Sequence, residues 1–309
     1  MSAAVTIGSV VLPAPVMTAS GTAGHGAELA PYFPLSQLGA VVVKSLAAYE
    51  WAGNAAPRVH TAGSGMINAV GLQGPGVTTW LEHDLPALAA TGVRVVASIW
   101  GRSVDDYRRA AEQLADAPDS VVAVEVNLSC PNLEGRRGIF AHDAALSAEV
   151  IRATAACGRP RWAKLSPNTD RVVEVAGAVH DAGAEAVTLV NTLLGLVLDP
   201  VTGRPALGAG GGGYSGTPIH AVAVRTIYDV RAALPDLPIV GVGGVATGWD
   251  AAELLLAGAN AVQVGTATFD DPRAAIKVQQ ALLEWCGRRS LSPSELSGLA
   301  HRGGLPPTR

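Results

Sequence analysis

The sequence is poor in cysteine and has no excess of basic charge. Its three cysteines, Cys130, Cys157 and Cys286, are an odd number at wide spacings. Such spacing argues against a disulfide framework and against a four-cysteine zinc or iron–sulfur site, so we expect a cytoplasmic protein in a reducing compartment. Lys and Arg total 22 against 26 Asp and Glu. Without a basic stripe, binding to nucleic acid has no electrostatic support.

Long apolar runs are missing as well. No uninterrupted stretch reaches the roughly 18 residues that a membrane-spanning helix requires. The first 21 residues contain no Lys or Arg, and Pro13 and Pro15 interrupt their apolar run, so they make a poor signal peptide. We therefore expect a soluble protein with no membrane partner.

The 309 residues that are present suit a large buried core. Apolar residues make up 49% of the chain and charged residues only 16%, which makes disorder improbable on composition. No internal repeat, linker or low-complexity tract divides the chain. We therefore predict one domain that covers residues 1–309.

Short apolar segments recur along the chain, and helical patterns separate them. The eight candidate strands are 16–20, 40–45, 94–98, 122–129, 161–166, 186–191, 238–243 and 261–266. They are nearly continuous in Val, Ile, Leu and Ala, as in parallel strands that are buried on both faces. The alternation predicts a (β/α)₈ TIM barrel. An open doubly wound sheet is disfavoured because no G-x-G-x-x-G opens the first βα unit.

Helices are predicted between the later strands, and two connections are unusually long. The helical patterns cover 143–157, 171–180, 219–234 and 249–257, with Gly183 and Gly258 at expected helix ends. Ser292 to Glu295 is a capping box that predicts a last short helix. The connections 46–93 and 192–218 are long for a barrel, and long βα loops usually carry function.

Polar or glycine residues end every apolar segment. In order they are Ser20, Lys44-Ser45, Ser98, Asn127, Lys164, Asn191-Thr192, Gly243-Gly244 and Gly265-Thr266. The active site of a TIM barrel lies at the carboxyl ends of its strands. This pattern therefore predicts a functional rim.

Glycines and lysines at this rim indicate an anionic ligand. Gly243-Gly244 and Gly265-Thr266 end the seventh and eighth strands, where barrels often bind phosphate through backbone N–H groups, although such glycines can serve only for tight turns. Lys44 and Lys164 would be partly desolvated and would suit the negative charge of a reduced flavin. The alternative is a salt bridge to a buried carboxylate, which we disfavour because few acidic residues occupy strand ends.

Cys130 is the cysteine with the strongest chemical signal. It lies in the segment NLSCPN directly after a predicted strand, and its thiolate could act as a base or a nucleophile. The other two cysteines fit small buried apolar residues. A Cys–His hydrolase is the competing interpretation, but no histidine stands at a strand end, and His25, His60 and His142 fall in loops.

The order of these segments resembles one known family. VMTASGTAG, VVVKS, GNAAPR, GMINAVGLQGPG, EVNLSCPN, AKLSPN, VNTLLG, GGYSGTPI, GVGG and VGTATF occur in family order between residues 15 and 269. The chain is similar to class 1 dihydroorotate dehydrogenases, closest to the class 1B subunits that work with an electron-transfer partner. The membrane-bound class has a serine base and an N-terminal membrane segment, so Cys130 and the expected lack of an anchor argue against that class.

The resemblance implies a flavoenzyme that oxidises dihydroorotate to orotate in pyrimidine biosynthesis. Cys130 would take the proton from C5 while hydride leaves C6 for FMN, with Lys44 and Lys164 also in catalytic positions. FMN would contact Ser20, Lys44, Ser45, Ser98, Asn127, Lys164, Val190, Gly216, Gly243, Gly244, Gly265 and Thr266. Substrate would contact Lys44, Asn68, Ala69, Val70, Gly71, Leu72, Asn127, Asn132, Asn191 and Thr192.

Partners follow from the same resemblance. Three cysteines cannot build a cluster on this chain, so FAD and an iron–sulfur centre are expected on a second subunit that passes electrons to NAD⁺. Fumarate is the alternative acceptor, and a homodimer is expected. No metal site is expected.

Two other functions stay open at this point. They are a dihydropyrimidine dehydrogenase-type subunit acting on uracil or thymine, and a non-catalytic flavin-binding paralogue. The chain departs from the family pattern at Ser98, Trp100, Gly74, Ala23 and His25, which bears on the flavin edge, the partner interface and the substrate.

Overall fold

A computed structural model describes residues 3–129, 131–132 and 138–306, with backbone alone for 131–132 and 138–139. Within these ranges the strands are β1 (Val5–Ile7), β2 (Val10–Leu12), β3 (Val16–Thr18), β4 (Val41–Val42), β5 (Val59–Ala62), β6 (Gly65–Asn68), β7 (Val95–Ile99), β8 (Val121–Asn127), β9 (Pro131–Asn132), β10 (Gly138–Ile139), β11 (Arg161–Lys164), β12 (Ala186–Leu189), β13 (Leu193–Gly195), β14 (Gly212–Gly216), β15 (Ile239–Val242) and β16 (Ala261–Val264). The α-helices are α1 (Val77–His83), α2 (Leu85–Ala89), α3 (Val104–Gln113), α4 (Ala144–Ala153), α5 (Val172–Asp181), α6 (His220–Ala233), α7 (Gly248–Ala257), α8 (Ala267–Asp270), α9 (Ala274–Arg288) and α10 (Pro293–Leu296).

Eight parallel strands form the barrel. Their order is β3-β16-β15-β12-β11-β8-β7-β4, and a bridge between Met17 and Ala40 joins the two end strands. Each of the eight predicted segments overlaps one of these strands, because strands buried on both faces are nearly continuous in apolar residues. The predicted (β/α)₈ barrel is confirmed.

The interior of the barrel is apolar at its lower end. Barrel-strand residues such as Met17, Val96 and Trp162, at the first or second positions of their strands, are buried in one cluster with the β1–β2 hairpin. The hairpin therefore closes the amino-terminal end of the barrel. A second, larger cluster packs the helices against the outside of the strands.

Helix ends follow the predicted local chemistry. Ser292 and Glu295 form the predicted capping box at α10, and a further one joins Thr247 to Asp250 at α7. Gly258 is the C-cap of α7, as predicted. None of the helices in the described ranges is long and apolar enough to cross a membrane.

The two long connections meet in a second sheet. Its order is β13-β14-β6-β5, all antiparallel, and the register of β14 and β6 places Gly213 opposite Asn68. Both connections follow the carboxyl ends of barrel strands, so this sheet lies at the predicted functional rim. The sequence predicted two functional loops there but no sheet, because the GGYSG run of β14 lacks the β-branched residues of a strand pattern.

Candidate active site

Side chains at five strand ends are joined by hydrogen bonds. Ser45 Oγ lies 3.1 Å from Ser20 Oγ and 2.9 Å from Ser98 Oγ, and it accepts from Asn127 Nδ2 at 3.3 Å. Asn191 Nδ2 donates to Asn127 Oδ1 at 3.4 Å. The structure thus brings five predicted site residues into one polar chain, and Ser98 joins it although it is one of the departures from the family pattern.

Lys164 is buried beside a carboxylate. Its Nζ lies 3.4 Å from Oε1 of Glu125, and the two side chains are 6% and 0% exposed. The preference against a carboxylate partner for this lysine was therefore wrong, because the acid comes from the middle of β8 rather than from a strand end. The Lys164 ammonium makes no hydrogen bond to any described residue, so its donors are available to an acceptor at the barrel mouth.

Lys44 faces a cavity of about 720 Å³ at the mouth of the barrel. Its backbone N–H donates to Gly24 O at 2.9 Å, which ties the loop after β3 to the end of β4. The cavity walls are Gly21, Gly24, His25, Lys44, Glu50, Trp51, Ala52, Val70, Gln73, Gly74, Pro75 and Asp84. Two members of the predicted substrate set, Lys44 and Val70, therefore share one open space.

The carbonyls of the segment 69–71 are hydrogen-bonded to the preceding loop. Asn54 donates to the carbonyls of Ala69 and Val70, and Trp51 Nε1 donates to that of Gly71 at 2.9 Å. The N–H groups of Val70, Gly71 and Leu72 donate to no described residue. Gly71 and Leu72 have φ of 73° and 61°, the left-handed region in which successive N–H groups can form an anion-binding concavity.

A second set of free N–H groups ends the last two barrel strands. Among the described residues, nothing accepts from the N–H groups of Gly243, Gly244, Gly265 and Thr266. Thr266 Oγ1 donates to Ser215 Oγ at 2.9 Å, which brings β14 next to this turn. The four donors fit a phosphate group, as barrel loops after these two strands commonly do.

Comparison with known proteins agrees with this geometry. The family model of dihydroorotate dehydrogenase matches residues 2–285. The chain belongs to the dihydroorotate dehydrogenase family. The family and oxidoreductase class predicted from the motifs are thereby confirmed.

Individual relatives of this dihydroorotate dehydrogenase family member carry two designations. The catalytic subunit of dihydroorotate dehydrogenase B (NAD⁺) from Desulforudis audaxviator is 44% identical over 97% of this chain and 98% of its own. The same subunit from Alkaliphilus metalliredigens is 43% identical over 90% and 91%. A putative dihydroorotate dehydrogenase A (fumarate) from Solibacter usitatus is 42% identical over 93% and 94%.

Two predicted site residues of this family member are not placed. Cys130 lies outside the described residues, and of Asn132 only the backbone is described. Val190 is buried, and Thr192 accepts from Asn168 Nδ2 at 2.9 Å through its carbonyl. Asn68 is half-buried in β6 and donates to Gly213 O at 3.4 Å.

Sequence reasoning missed Glu125 and undervalued His25. A carboxylate inside the apolar run VVAVEVN was a usable signal for Glu125, whereas His25 looked incidental in its loop. The structure places His25 on the cavity wall, where burial lowers its pKa. A Cβ on Gly74 would lie 3.2 Å from His25 Nε2, so the two departures from the family pattern are neighbours and His25 occupies space beside the missing side chain.

Proposed function

We propose that this chain is the FMN-dependent catalytic subunit of a dihydroorotate dehydrogenase, which oxidises dihydroorotate to orotate in pyrimidine biosynthesis. The observation that carries the proposal is the meeting, at one barrel rim, of two sets of N–H groups that find no acceptor in the described part of the chain, with Lys44 and Lys164 at the same rim. One set suits a phosphate, and the other suits a carboxylate. A flavin that bears a phosphate and a substrate ring that bears a carboxylate would therefore each find matching donors at this rim.

The residues present fit FMN. Gly243, Gly244, Gly265 and Thr266 would bind its phosphate, and Gly216, Val190 and the polar chain around Ser45 would border its ring. Lys164 would place its ammonium against the pyrimidine end of the ring, where reduction adds negative charge. Bound FMN would accept the hydride that leaves C6 of the substrate.

The substrate ring would be held by charge and by amides. Lys44 and the N–H groups of Val70, Gly71 and Leu72 suit its carboxylate, whereas the amides of Asn68, Asn127, Asn132 and Asn191, with Thr192, suit its imide. Donors fixed in advance cost no reorganisation during reaction, which commonly makes them the largest catalytic contribution. Dihydrouracil lacks the carboxylate, so we expect it to be a poor substrate.

Cys130 is proposed as the base, because it stands in NLSCPN directly after Ser129. Its thiolate would take the proton from C5, and a positioned base typically contributes about 10²–10⁴-fold. We expect Cys130→Ala to keep FMN bound, with the flavin spectrum unchanged, and to lose turnover by that factor. Cys157→Ala is the control, because Cys157 is buried in the 3-10 turn that follows α4, outside the proposed site.

The experiment is anaerobic bleaching of the flavin by dihydroorotate in stopped flow. Slow bleaching in Cys130→Ala and normal bleaching in Cys157→Ala are expected. Equal rates in wild type and Cys130→Ala would rule out the base. A protein that binds no FMN, or one bleached faster by dihydrouracil, would rule out the proposed function as a whole.

An electron-transfer subunit with FAD and an iron–sulfur centre is part of the proposal, as is a homodimer of this chain. The designation of the relatives as catalytic subunits of an NAD⁺ enzyme supports such a subunit. We expect the chain alone to reduce little NAD⁺. Strong NAD⁺ reduction without a partner would contradict this, and fumarate reduction would favour the acceptor named for the Solibacter relative.

A further inference from the structure

We propose that Glu125 is a positioning residue that tunes the reduction potential of the bound flavin through Lys164. The proposal rests on the proposed function, because it assumes that FMN lies over Lys164. Glu125 itself would touch neither substrate nor cofactor. Its effect would pass through the ammonium that it neutralises.

Glu125 lies one layer below the rim, inside the barrel. It stands two residues before Asn127 on β8, and residues two apart on a strand share a face. The side chain is fully buried, as are those of Thr188 on β12 and Gln263 on β16. With Lys164, these residues form a polar layer between the apolar lower end of the barrel and the open rim.

Neutral donors orient the carboxylate. Oε2 of Glu125 accepts from Thr188 Oγ1 at 3.1 Å and from Gln263 Nε2 at 2.8 Å. Oε1 accepts no hydrogen bond within the described part of the chain and lies 3.4 Å from Lys164 Nζ. Two hydrogen bonds on one oxygen thus hold the other oxygen towards the lysine.

The arrangement has an electrostatic consequence at the rim. Lys164 and Glu125 together sum to about zero charge, whereas Lys164 alone would present a full positive charge to the ring above it. Charges interact strongly where water is excluded. Removing the carboxylate charge should therefore favour the anionic reduced flavin over the neutral oxidised flavin, which raises the reduction potential.

A purely structural role for Glu125 makes a different prediction. A buried carboxylate that only fills space and satisfies its neighbours would change stability when altered but would leave the flavin potential alone. Thr188→Val is the matched control, because it removes one of the hydrogen bonds to the same Oε2 and changes no charge. Potential and stability measured on both variants therefore separate the two roles.

The experiment measures the FMN midpoint potential, the FMN dissociation constant and the free energy of unfolding in wild type, Glu125→Gln, Glu125→Asp and Thr188→Val. In Glu125→Gln we expect reduced FMN to gain at least tenfold in affinity relative to oxidised FMN, a rise of about 30 mV for the two-electron couple. Glu125→Asp keeps the charge but withdraws it from Lys164, so we expect a smaller rise. Thr188→Val should stay at the wild-type potential.

A repeat of the measurement without the lysine tests the route. In a Lys164→Met background, Glu125→Gln should no longer raise the potential, because a fully buried carboxylate that has lost its cation is neutralised by a proton and carries no charge left to remove. An unchanged potential in Glu125→Gln, or an equal rise with and without Lys164, would overturn the inference. If Glu125→Gln does not fold, a Glu125→Asp potential equal to that of Thr188→Val overturns it. Wild-type protein that binds no FMN would instead refute the proposed function, and this inference with it.

Discussion

The turn at Gly244 leaves no room for a side chain. Its φ is +68°, and a Cβ there would lie 2.7 Å from His220 Cβ and 2.9 Å from His220 Cα and N, at the start of α6. His220 cannot withdraw freely, because its ring bonds the Gly243 carbonyl at 2.8 Å and Glu253 at 3.2 Å. Gly244→Ala should therefore push the turn away from α6.

The magnitude has two parts. A left-handed backbone costs a non-glycine residue roughly 1–2 kcal/mol, and overpacking typically costs about 1–3 kcal/mol more. Gly203 isolates the first part, since its φ is +66° and a Cβ there meets nothing within 4 Å. We expect Gly203→Ala to lose about 1–2 kcal/mol of unfolding free energy and Gly244→Ala about 2–5 kcal/mol.

Flavin binding adds a second measurement. Urea unfolding of the apoprotein gives the free energies, and repeating it with FMN at one hundred times the dissociation constant should stabilise wild type by about 2.7 kcal/mol. Gly203→Ala should keep that gain, and Gly244→Ala should lose most of it, because the Gly244 N–H is one of the proposed phosphate donors. If the two variants lost equal unfolding free energy and were stabilised equally by FMN, both the steric argument and the phosphate argument would be refuted.

Two further predictions concern titratable groups. Burial raises the pKa of Cys286 to about 11 and also raises that of Cys157. In the native Cys130→Ala variant, we therefore expect mass spectrometry to detect no reaction of either thiol with a thiol reagent near neutral pH, and rapid labelling of either would contradict their burial. Burial, and to a lesser extent Lys44, lowers the pKa of His25 below its ordinary 6.5. As the pH falls, His25 therefore takes up a proton in the unfolded chain before it does so in the folded chain, and the free energy of unfolding decreases below about pH 6.5. His25→Phe should make the free energy of unfolding less dependent on pH between about pH 5 and 6.5. An unchanged pH dependence would count against a buried, neutral His25.

The barrel strands could be predicted because each one's burial on both faces leaves a pattern in its own short stretch of sequence. A run such as 186–191 is apolar throughout since both faces of a barrel strand are covered, and a polar residue ends it where the strand meets the rim. The glycines at 243–244 and 265 were recognisable for the same reason. Position along a strand was enough to place these residues at one end of the fold.

Contacts between distant segments could not be predicted in this way. Glu125 reaches Lys164 and Gln263 across the barrel interior, and the sequence gives no measure of which inward-facing side chains meet. The pairing of β14 with β6 depends on two loops 145 residues apart at Asn68 and Gly213. The placement of Cys130 stays a prediction, since that residue lies outside the described ranges.

In the described part of the chain, the β1–β2 hairpin leaves the barrel interior open only at the carboxyl ends of its strands. Water, ions and protons that reach the polar layer around Glu125 must come and go by the upper opening, because Val5, Ile7, Val10 and Leu12 seal the floor. A molecule bound across that opening would therefore block this exchange. The rate at which water and protons exchange between the polar layer and bulk solvent would then be set by how long that molecule stays bound, rather than by transient separation of the barrel strands.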